Sequence, residues 1–321
     1  MAWNQSRDSI SRYPIEEMHS TISVELDARV LQALASASDF PFPCTSVEQR
    51  ATLVLNRWAA GKVTTAPGDQ AKTSSSAGAH LYLSAPIADL VKGLITGHEK
   101  VGTALRHGNF GLGTLHLLDG EVVVLDGVAY QQTPEGTCNV IPDDALSPFM
   151  MVTAFRDALA QTLRLAGPLD LASLQALLSE RIVEKKRNVF WAMRIEGTFS
   201  YLKCRAVRKQ VKERPLIEVT REQAIIEWTE PISGTLVGFY SPHFIGHQLT
   251  VPGFHLHFID SSHTAGGHVL ALNVGEGAQV SCALQDLHEV VQELPKTEAF
   301  EQADFMSGAA DAEKQLKEAE G

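Results

Sequence analysis

GFHLHFI at residues 253–259 and GHVLALNV at residues 267–274 are the two stretches that decide the fold of this chain. Each has the length and apolar content of a strand, and the small polar residues between them, 260–266, are typical of a turn. Side chains on a strand alternate between its faces, so His255 and His257 share one face while their apolar neighbours pack on the other. These residues predict an antiparallel hairpin with two imidazoles on one face.

Short apolar runs of the same kind continue through most of the chain. They predict a three-strand meander over residues 112–132 with Asp-Gly turns, a strand over 147–155, a hairpin over 188–207 that turns at Glu196-Gly197, and strands at 215–219, 224–228, 234–241 and 278–285. One helix is well marked, over 168–182, with Asp170 as its cap. Because strands do not alternate with long helices, we expect an α+β, mainly β protein, with mixed or antiparallel sheets in a two-part body and a few helices.

The chain is predicted to fall into three parts. Residues 1–79 form an N-terminal extension, with one helix over 22–36 and a flexible linker of small polar residues over 61–78. Residues 80–185 form the N-terminal, β-rich part of the body. Residues 186–321 form its C-terminal β part, which carries the histidine pair and ends in a charged, helical tail.

The composition excludes several classes of protein. A chain of 321 residues, 44% hydrophobic and 20% charged, is typical of a globular protein, and a net charge of −11 argues against a nucleic-acid partner. No apolar run approaches the roughly 20 residues of a membrane span, and the N-terminus lacks the apolar core of a secretory signal. The four cysteines (Cys44, Cys138, Cys204 and Cys282) form no C-x-x-C pair. We therefore expect a cytoplasmic protein with reduced thiols.

The histidines of the hairpin are candidate metal ligands. His268 opens the second strand, so an antiparallel return can bring it beside His255 and His257. Three neutral imidazoles with an open fourth position are the ligand set of a catalytic zinc ion. A lone buried histidine is usually a hydrogen-bonded core residue, but burying two unpaired imidazoles would cost several kcal/mol in total, which favours a metal. Iron and manganese also bind imidazole, so the spacing alone leaves the metal open.

Several blocks outside the hairpin carry a family resemblance. They are HGNFGLGT at 107–114, LDGE at 118–121, DG at 126–127, FWAMRIEG at 190–197 with Phe199, RAVRKQ at 205–210, GTLVGF at 234–239, PGFHLHFI at 252–259 and GGH at 266–268. Together, and in this order, they resemble the α-acetolactate decarboxylase family from about residue 81 to residue 300.

The resemblance implies an enzyme, a homodimeric carboxy-lyase that uses Zn²⁺ to convert (S)-2-acetolactate, a small molecule, into (R)-acetoin and CO₂. His255, His257 and His268 match the family's zinc ligands. Glu121 matches a catalytic glutamate close to the metal, and Arg205 matches an arginine that meets the substrate. Without the resemblance, Glu121 would be interpreted as a solvated hairpin residue and Arg205 as half of a cross-strand ion pair.

A second family glutamate lies near the C-terminus, and Glu320 is its best match, with Glu318 as a competitor in the same repetitive tail. Two departures from the family pattern stand out: the extension before residue 80 has no counterpart, and the residues after Arg208 lack the usual Pro-Tyr pair. The proton donor of the reaction is left open between Glu121, Arg205 and the C-terminal glutamate. Two other functions also stay open: a zinc hydrolase with Glu121 as its base, and a non-catalytic metal-binding relative.

Overall fold

Two large β-sheets form the body of the protein. The structure is a computed structural model and describes residues 11–17, 20–26, 79–245, 248–306, 314–316 and 318, without the side chains of residues 11–17, 20–26 and 183–185. The strands are β1 (Ser11–Glu17), β2 (Ser20–Leu26), β3 (His80–Leu83), β4 (Glu99–Lys100), β5 (Phe110–Thr114), β6 (Glu121–Leu125), β7 (Val128–Gln132), β8 (Cys138–Val140), β9 (Leu146–Ser147), β10 (Phe149–Thr153), β11 (Gln161–Ala166), β12 (Leu169–Asp170), β13 (Phe190–Phe199), β14 (Tyr201–Ala206), β15 (Ala224–Trp228), β16 (Ile232–Ser241), β17 (Gly253–Asp260), β18 (Gly266–Val274), β19 (Gln279–Leu287) and β20 (Glu289–Gln292).

Helices are short, with one exception. The α-helices are Ala88–Lys92, Val101–Ala104, Leu171–Lys186, Leu216–Thr220 and Glu298–Gln302, and the 3-10 helices are Leu105–His107, Asp157–Leu159 and His243–Ile245. The predicted class, mainly β with mixed or antiparallel sheets and a few helices, is confirmed. No helix in the described part of the chain combines the length and apolar character that a membrane span requires.

The first sheet has seven strands in the order β20-β3-β10-β5-β6-β7-β8. Its pairs are antiparallel except β20–β3, which is parallel. The predicted meander is β5–β6–β7, and its second turn has positive φ at both Asp126 (50°) and Gly127 (77°), as a two-residue type I′ turn requires. Every residue of β5, β6 and β10 is buried, so both faces of this sheet are covered.

The second sheet holds the histidine hairpin. Its order is β11-β19-β13-β16-β17-β18-β14-β15, with β12 paired to β18 outside that path. The 16-residue helix Leu171–Lys186 begins where it was predicted, because Asp170 accepts a hydrogen bond from the Ser173 amide at its N-terminus. Leu174, Leu178 and Ile182 of this helix lie in the core of the sheet with Trp191 and Phe258.

The two sheets pack against each other through the central strands of the first and the histidine hairpin of the second. β6 of the first sheet lies against β17 and β18 of the second, and β5 lies against β16. The rings of Phe110 and Phe239 touch across this junction at a centroid distance of 6.0 Å. The hairpin of the second sheet therefore faces the central strands of the first.

Two local predictions are wrong. β13 runs straight through Glu196-Gly197, because Gly197 pairs with Gly234 of β16 on one side and Val280 of β19 on the other, and β14 pairs with β15 and β18 instead of β13. Residues 215–219, predicted as a strand, form the helix Leu216–Thr220. Pro215 directly before it and Glu218 in its first turn are helix-start signals that outweighed the apolar run.

Parts of the predicted division of the chain fall on described residues. Residues 22–26 belong to β2, which pairs with β1, while the rest of the predicted helix over 22–36 and the linker over 61–78 lie outside the described residues. Within the body, the change of sheet falls before β11 instead of between residues 185 and 186, and β20 returns to the first sheet. Residues 76–321 form one compact unit.

Candidate metal centre and active site

His255, His257 and His268 come together where β17 pairs with β18. His257 lies directly opposite His268 in the register, and His255 lies two residues away on the same face. The three ring centroids are 5.1 Å apart in every pair, and one nitrogen of each ring lies within 4.8 Å of the others. His268 Nδ1 and His257 Nε2 are 3.2 Å apart. Two nitrogens bound to one tetrahedral zinc stand about 3.3 Å apart, so this separation fits a shared metal ion.

Burial keeps the imidazoles of His255 and His257 neutral. It is the main cause that lowers the pKa of His255 to about 3, with the positive charge of Arg205 adding to it, and it lowers the pKa of His257 well below its usual value. His257 Nδ1 lies 2.9 Å from the carbonyl oxygen of Val122. A carbonyl only accepts, so Nδ1 carries the proton and Nε2 presents its lone pair to the cluster. A neutral, oriented imidazole is the form that binds a divalent metal.

Glu121 lies beside this cluster. It is the first residue of β6, it is buried, and its Oε2 lies 3.7 Å from His257 Nε2. The loop before it has two leucines in the left-handed region, Leu117 at φ 59° and Leu118 at φ 54°, a conformation that costs roughly 1–3 kcal/mol per residue. Backbone bonds from Leu117 N to Ile95 O (2.8 Å) and from Gly120 N to Val207 O (3.2 Å) hold the loop. These two bonds fix the backbone from which Glu121 projects.

Arg205 is buried beside the same histidines. It lies on β14, where its Cα pairs with that of His268 on one side and of Ile225 on the other. Its side chain is 3% exposed, and Nη1 donates to Gln223 Oε1 at 3.1 Å. A guanidinium at this position can bind an anionic group of a small molecule through paired N–H donors.

A single cavity joins these groups. About 420 Å³ of space free of protein atoms lies within it, part of which is open solvent at its mouth. Its polar lining consists of Thr114, Glu121, Arg205, Thr220, His255, His257 and His268, and its other lining residues are Ile87, Leu90, Gly113, Leu118, Phe149, Val207 and Leu216. The cavity therefore has a charged, metal-competent side and an apolar wall.

Of the two C-terminal candidates, Glu318 is not among the described residues that line the cavity. Glu320 lies outside the described residues. Glu318 is described, its side chain is 49% exposed, and it lies 3.8 Å from Lys314 one helical turn earlier. Leu316 between them is buried, so the described part of the tail is packed.

Sequence reasoning missed the helix that closes one side of the cavity. Leu216 and Thr220 line the cavity from the helix Leu216–Thr220, which was predicted as a strand. Reading Pro215 as a helix start would have placed both residues on one helical face, since they are four positions apart. Gly113, in the segment HGNFGLGT, also lines the cavity, and a Cβ there would collide with the Phe149 carbonyl oxygen of the neighbouring strand.

The fold and the cavity define a class of protein: a mainly β protein whose buried three-histidine cluster, competent to bind a metal ion, shares a cavity with a carboxylate and a guanidinium. Comparison with known proteins narrows the class. A family model described as alpha-acetolactate decarboxylase matches residues 81–307. The chain belongs to the α-acetolactate decarboxylase family, whose members are carboxy-lyases.

Individual relatives agree with this assignment. The alpha-acetolactate decarboxylase of Methanosarcina mazei is 36% identical over 235 residues, which cover 72% of this chain and 78% of that protein. The alpha-acetolactate decarboxylase of Brevibacillus brevis is 35% identical over 226 residues, which cover 70% of this chain and 76% of that protein. The crystal structure of alpha-acetolactate decarboxylase from Bacillus subtilis strain 168 superposes with a TM-score of 0.70 at 27% identity, over 75% of this chain and 99% of that one.

Proposed function

We propose that this chain is a zinc-dependent decarboxylase that converts (S)-2-acetolactate into (R)-acetoin and CO₂. The observation that carries the proposal is the convergence of His255, His257, His268, Glu121 and Arg205 on one cavity in a member of this family.

The donor set fits a zinc ion. His255, His257 and His268 would hold it through neutral imidazole nitrogens, and the hydrogen bond from His257 to Val122 is the kind of outer contact that orients a metal-binding histidine. When bound, zinc supplies a Lewis acid for the ketone and hydroxyl oxygens of the substrate, which stabilises the electrons released as CO₂ leaves.

Arg205 binds the substrate carboxylate. Acetolactate is an anion, and among the described residues that line the cavity Arg205 is the only lysine or arginine. A buried, planar guanidinium holds a carboxylate in one orientation through charge-assisted hydrogen bonds. This fixes which bond of the substrate faces the apolar wall and breaks.

Glu121 is assigned to the proton transfer that follows loss of CO₂. Loss of CO₂ breaks the bond between the carboxylate carbon and C2, and its electron pair moves through C2 toward the ketone oxygen. One proton must then be added at C2 to give acetoin. The Glu121 carboxyl is buried beside His257 and is our assignment for the group that delivers it, and delivery from a fixed side gives one enantiomer. Arg205 and the C-terminal glutamate are the other two candidates.

The apolar wall keeps water from competing for that proton. Ile87, Leu90, Leu118, Phe149 and Leu216 present hydrocarbon to the cavity. A site that excludes water strengthens every charge interaction within it and limits proton exchange with solvent.

An acetoin assay on purified full-length protein tests the proposal. Metal-free protein is prepared with a chelator, then loaded separately with zinc, iron or manganese and given racemic acetolactate. We expect zinc to restore acetoin release, half of the substrate to be consumed rapidly, and (R)-acetoin to be the product on a chiral column. Zinc-loaded protein that makes no acetoin contradicts the proposal, and turnover of ester substrates with acetolactate untouched would indicate a hydrolase instead.

Two further assignments belong to this proposal. We place Glu320 as the second glutamate of the site, with Glu318 as the alternative. Leu316, in the same tail, is buried, which supports a tail that packs on the rest of the protein. We also expect a homodimer in solution. Light scattering on the full chain measures its mass, and a Glu320→Gln, Glu318→Gln comparison measures which tail carboxylate affects turnover.

A further inference from the structure

Gln132 is a fully buried polar residue at the junction of the two sheets. It is the last residue of β7, and its side chain has no exposed surface. Its Cα pairs with that of Glu121 on β6. Directly opposed residues of an antiparallel pair place their side chains on the same face, so Gln132 and Glu121 project from the sheet side by side.

The Gln132 side chain crosses to the other sheet. Its Nε2 donates a hydrogen bond to the carbonyl oxygen of Phe258 on β17, the residue after His257. Because a carbonyl oxygen only accepts, the amide nitrogen must face it, which fixes the orientation of the amide. On the neighbouring strand β6, the Val122 carbonyl accepts from His257 Nδ1. Two hydrogen bonds therefore run between the strand pair that carries Glu121 and the strand that carries His255 and His257.

The second histidine strand also makes room for this side chain. A Cβ at Gly266 of β18 would collide with Gln132 Nε2 and with the Phe258 carbonyl oxygen. Gly266 pairs with Ile259 and lies two residues before His268. Gln132 is thus enclosed by both strands of the histidine hairpin.

We propose that Gln132 is a positioning residue, which fixes the histidine hairpin relative to Glu121. Its side chain is not among the described groups that line the cavity. It acts through the backbone of β17, and it sets the separation between the nitrogens that hold the metal and the carboxyl that moves the proton. The inference rests on the proposed function for the role of Glu121, but its effect on the histidines is measurable by itself.

A matched control separates positioning from general stability. Gln285 of β19 is also buried, at 2% exposed, and also bonds backbone groups, since Nε2 donates to Ala154 O at 3.0 Å and Oε1 accepts from Arg156 N at 2.7 Å. It lies outside the cavity lining. Gln132→Met and Gln285→Met each replace a buried amide with an apolar side chain of similar length. Both are expected to lower the midpoint of thermal unfolding of the metal-free protein.

The two variants should differ in their affinity for zinc and in their turnover. The dissociation constant for zinc is measured by competition with a chromophoric chelator, the visible spectrum is recorded with Co²⁺ in place of zinc, and kcat and KM are measured for acetolactate. We expect Gln132→Met to weaken zinc binding about tenfold or more, to change the Co²⁺ spectrum and to lower kcat more than it raises KM. Gln285→Met should keep the wild-type zinc affinity, spectrum and kcat.

Wild-type zinc affinity, Co²⁺ spectrum and kcat in Gln132→Met would overturn the proposal and leave Gln132 with a stabilising role only. If Gln132→Met does not fold, Gln132→Asn serves instead: it keeps an amide that is one methylene too short to reach Phe258, and the same outcomes decide. If the wild-type protein makes no acetoin, the proposed function fails, and the zinc affinities and Co²⁺ spectra still decide whether Gln132 positions the histidines.

Discussion

Burial gives the residues of this cavity their chemistry. One cavity is lined by three buried imidazoles, the Glu121 carboxyl and the Arg205 guanidinium. Charges interact more strongly in such a buried site than in water. Burial holds the imidazoles of His255 and His257 neutral, which suits metal binding, and a guanidinium is a cation, which suits binding of an anion. Each group can therefore be tested by a substitution that changes its chemistry and keeps its volume.

Glu121→Gln should lower kcat by about 10²–10⁴-fold, because an amide cannot deliver or take the proton. The zinc content should stay at the wild-type level, since Glu121 lies 3.7 Å from His257 and is not one of the three histidine ligands. Steady-state kinetics with metal analysis checks both, with the exposed Glu135→Gln as control. Wild-type turnover in Glu121→Gln would remove Glu121 from the reaction.

Arg205→Lys should lower kcat/KM for acetolactate by about 10- to 100-fold, mainly through KM. A lysine keeps the charge but loses the planar pair of donors, and a hydrogen bond to a charged group is worth about 1.5–3 kcal/mol. Arg208→Lys, at an exposed position of the same segment, is the control and should behave as wild type. An unchanged KM in Arg205→Lys would argue that the carboxylate binds elsewhere.

The residues of the site differ in how well sequence could predict them. The histidines follow from the two-residue period of a strand and the turn before His268. From the sequence alone, Glu121 could equally be a solvated hairpin residue, and Arg205 could equally be half of a cross-strand ion pair. Only the family resemblance indicated that they belong to the active site. Gln132 could not be predicted, because its partner Phe258 is 126 positions away and lies in the other sheet.

At the scale of elements, the helix Leu171–Lys186 supports the second sheet from outside the site. Leu178→Ala should lower the free energy of unfolding by about 2–5 kcal/mol, since Leu178 is completely buried in the core of that sheet. Its neighbour Leu177 is only partly buried, so Leu177→Ala should cost less. Chemical denaturation measures both, and zinc affinity should be unchanged in each. Equal losses in the two variants would contradict the packing described for this helix.

Errors in predicting elements came from competition between local signals. Gly197 suggested a turn, but it lies inside β13, where β19 approaches so closely that a Cβ would collide with the Val280 side chain. The run at 215–219 looked like a strand, and Pro215 made it a helix. By contrast, β16–β19 carry regular apolar patterns, and all four appear where the pattern predicted them.

At the scale of the whole molecule, one buried acid should make stability depend on pH. Asp89 is 2% exposed, its Oδ1 has no hydrogen-bond partner among the described residues, and burial raises the pKa of its carboxyl to about 7. The unfolded chain has a pKa of about 3.9 at this residue. Between these values the folded protein binds more protons, so this group lowers the free energy of unfolding as pH rises from about 4 to about 7.

Asp89→Asn should remove that dependence. The stability of the wild type relative to Asp89→Asn should fall by up to about 1.4 kcal/mol per pH unit across this window and level off above it. Urea denaturation at a series of pH values measures it, with the exposed Asp144→Asn as control. Parallel pH curves for the wild type and Asp89→Asn would show that the carboxyl is not held in the protonated form.

The candidate active site depends on the assembly of two sheets around one cavity. β6 brings Glu121, β14 brings Arg205, and β17 and β18 bring the histidines, so the site exists only when both sheets are in place. The sequence predicted the strands one by one, but the pairing of the sheets face to face depends on contacts far apart in the chain.

Zinc content and acetoin release are measured together on the wild type and on His257→Ala, with the exposed His288→Ala as control. We predict about one zinc ion per chain and acetoin release for the wild type and for His288→Ala. His257→Ala should lose zinc and turnover while its metal-free form still folds. A His257→Ala protein that keeps stoichiometric zinc, or that releases acetoin at the wild-type rate, would contradict the account.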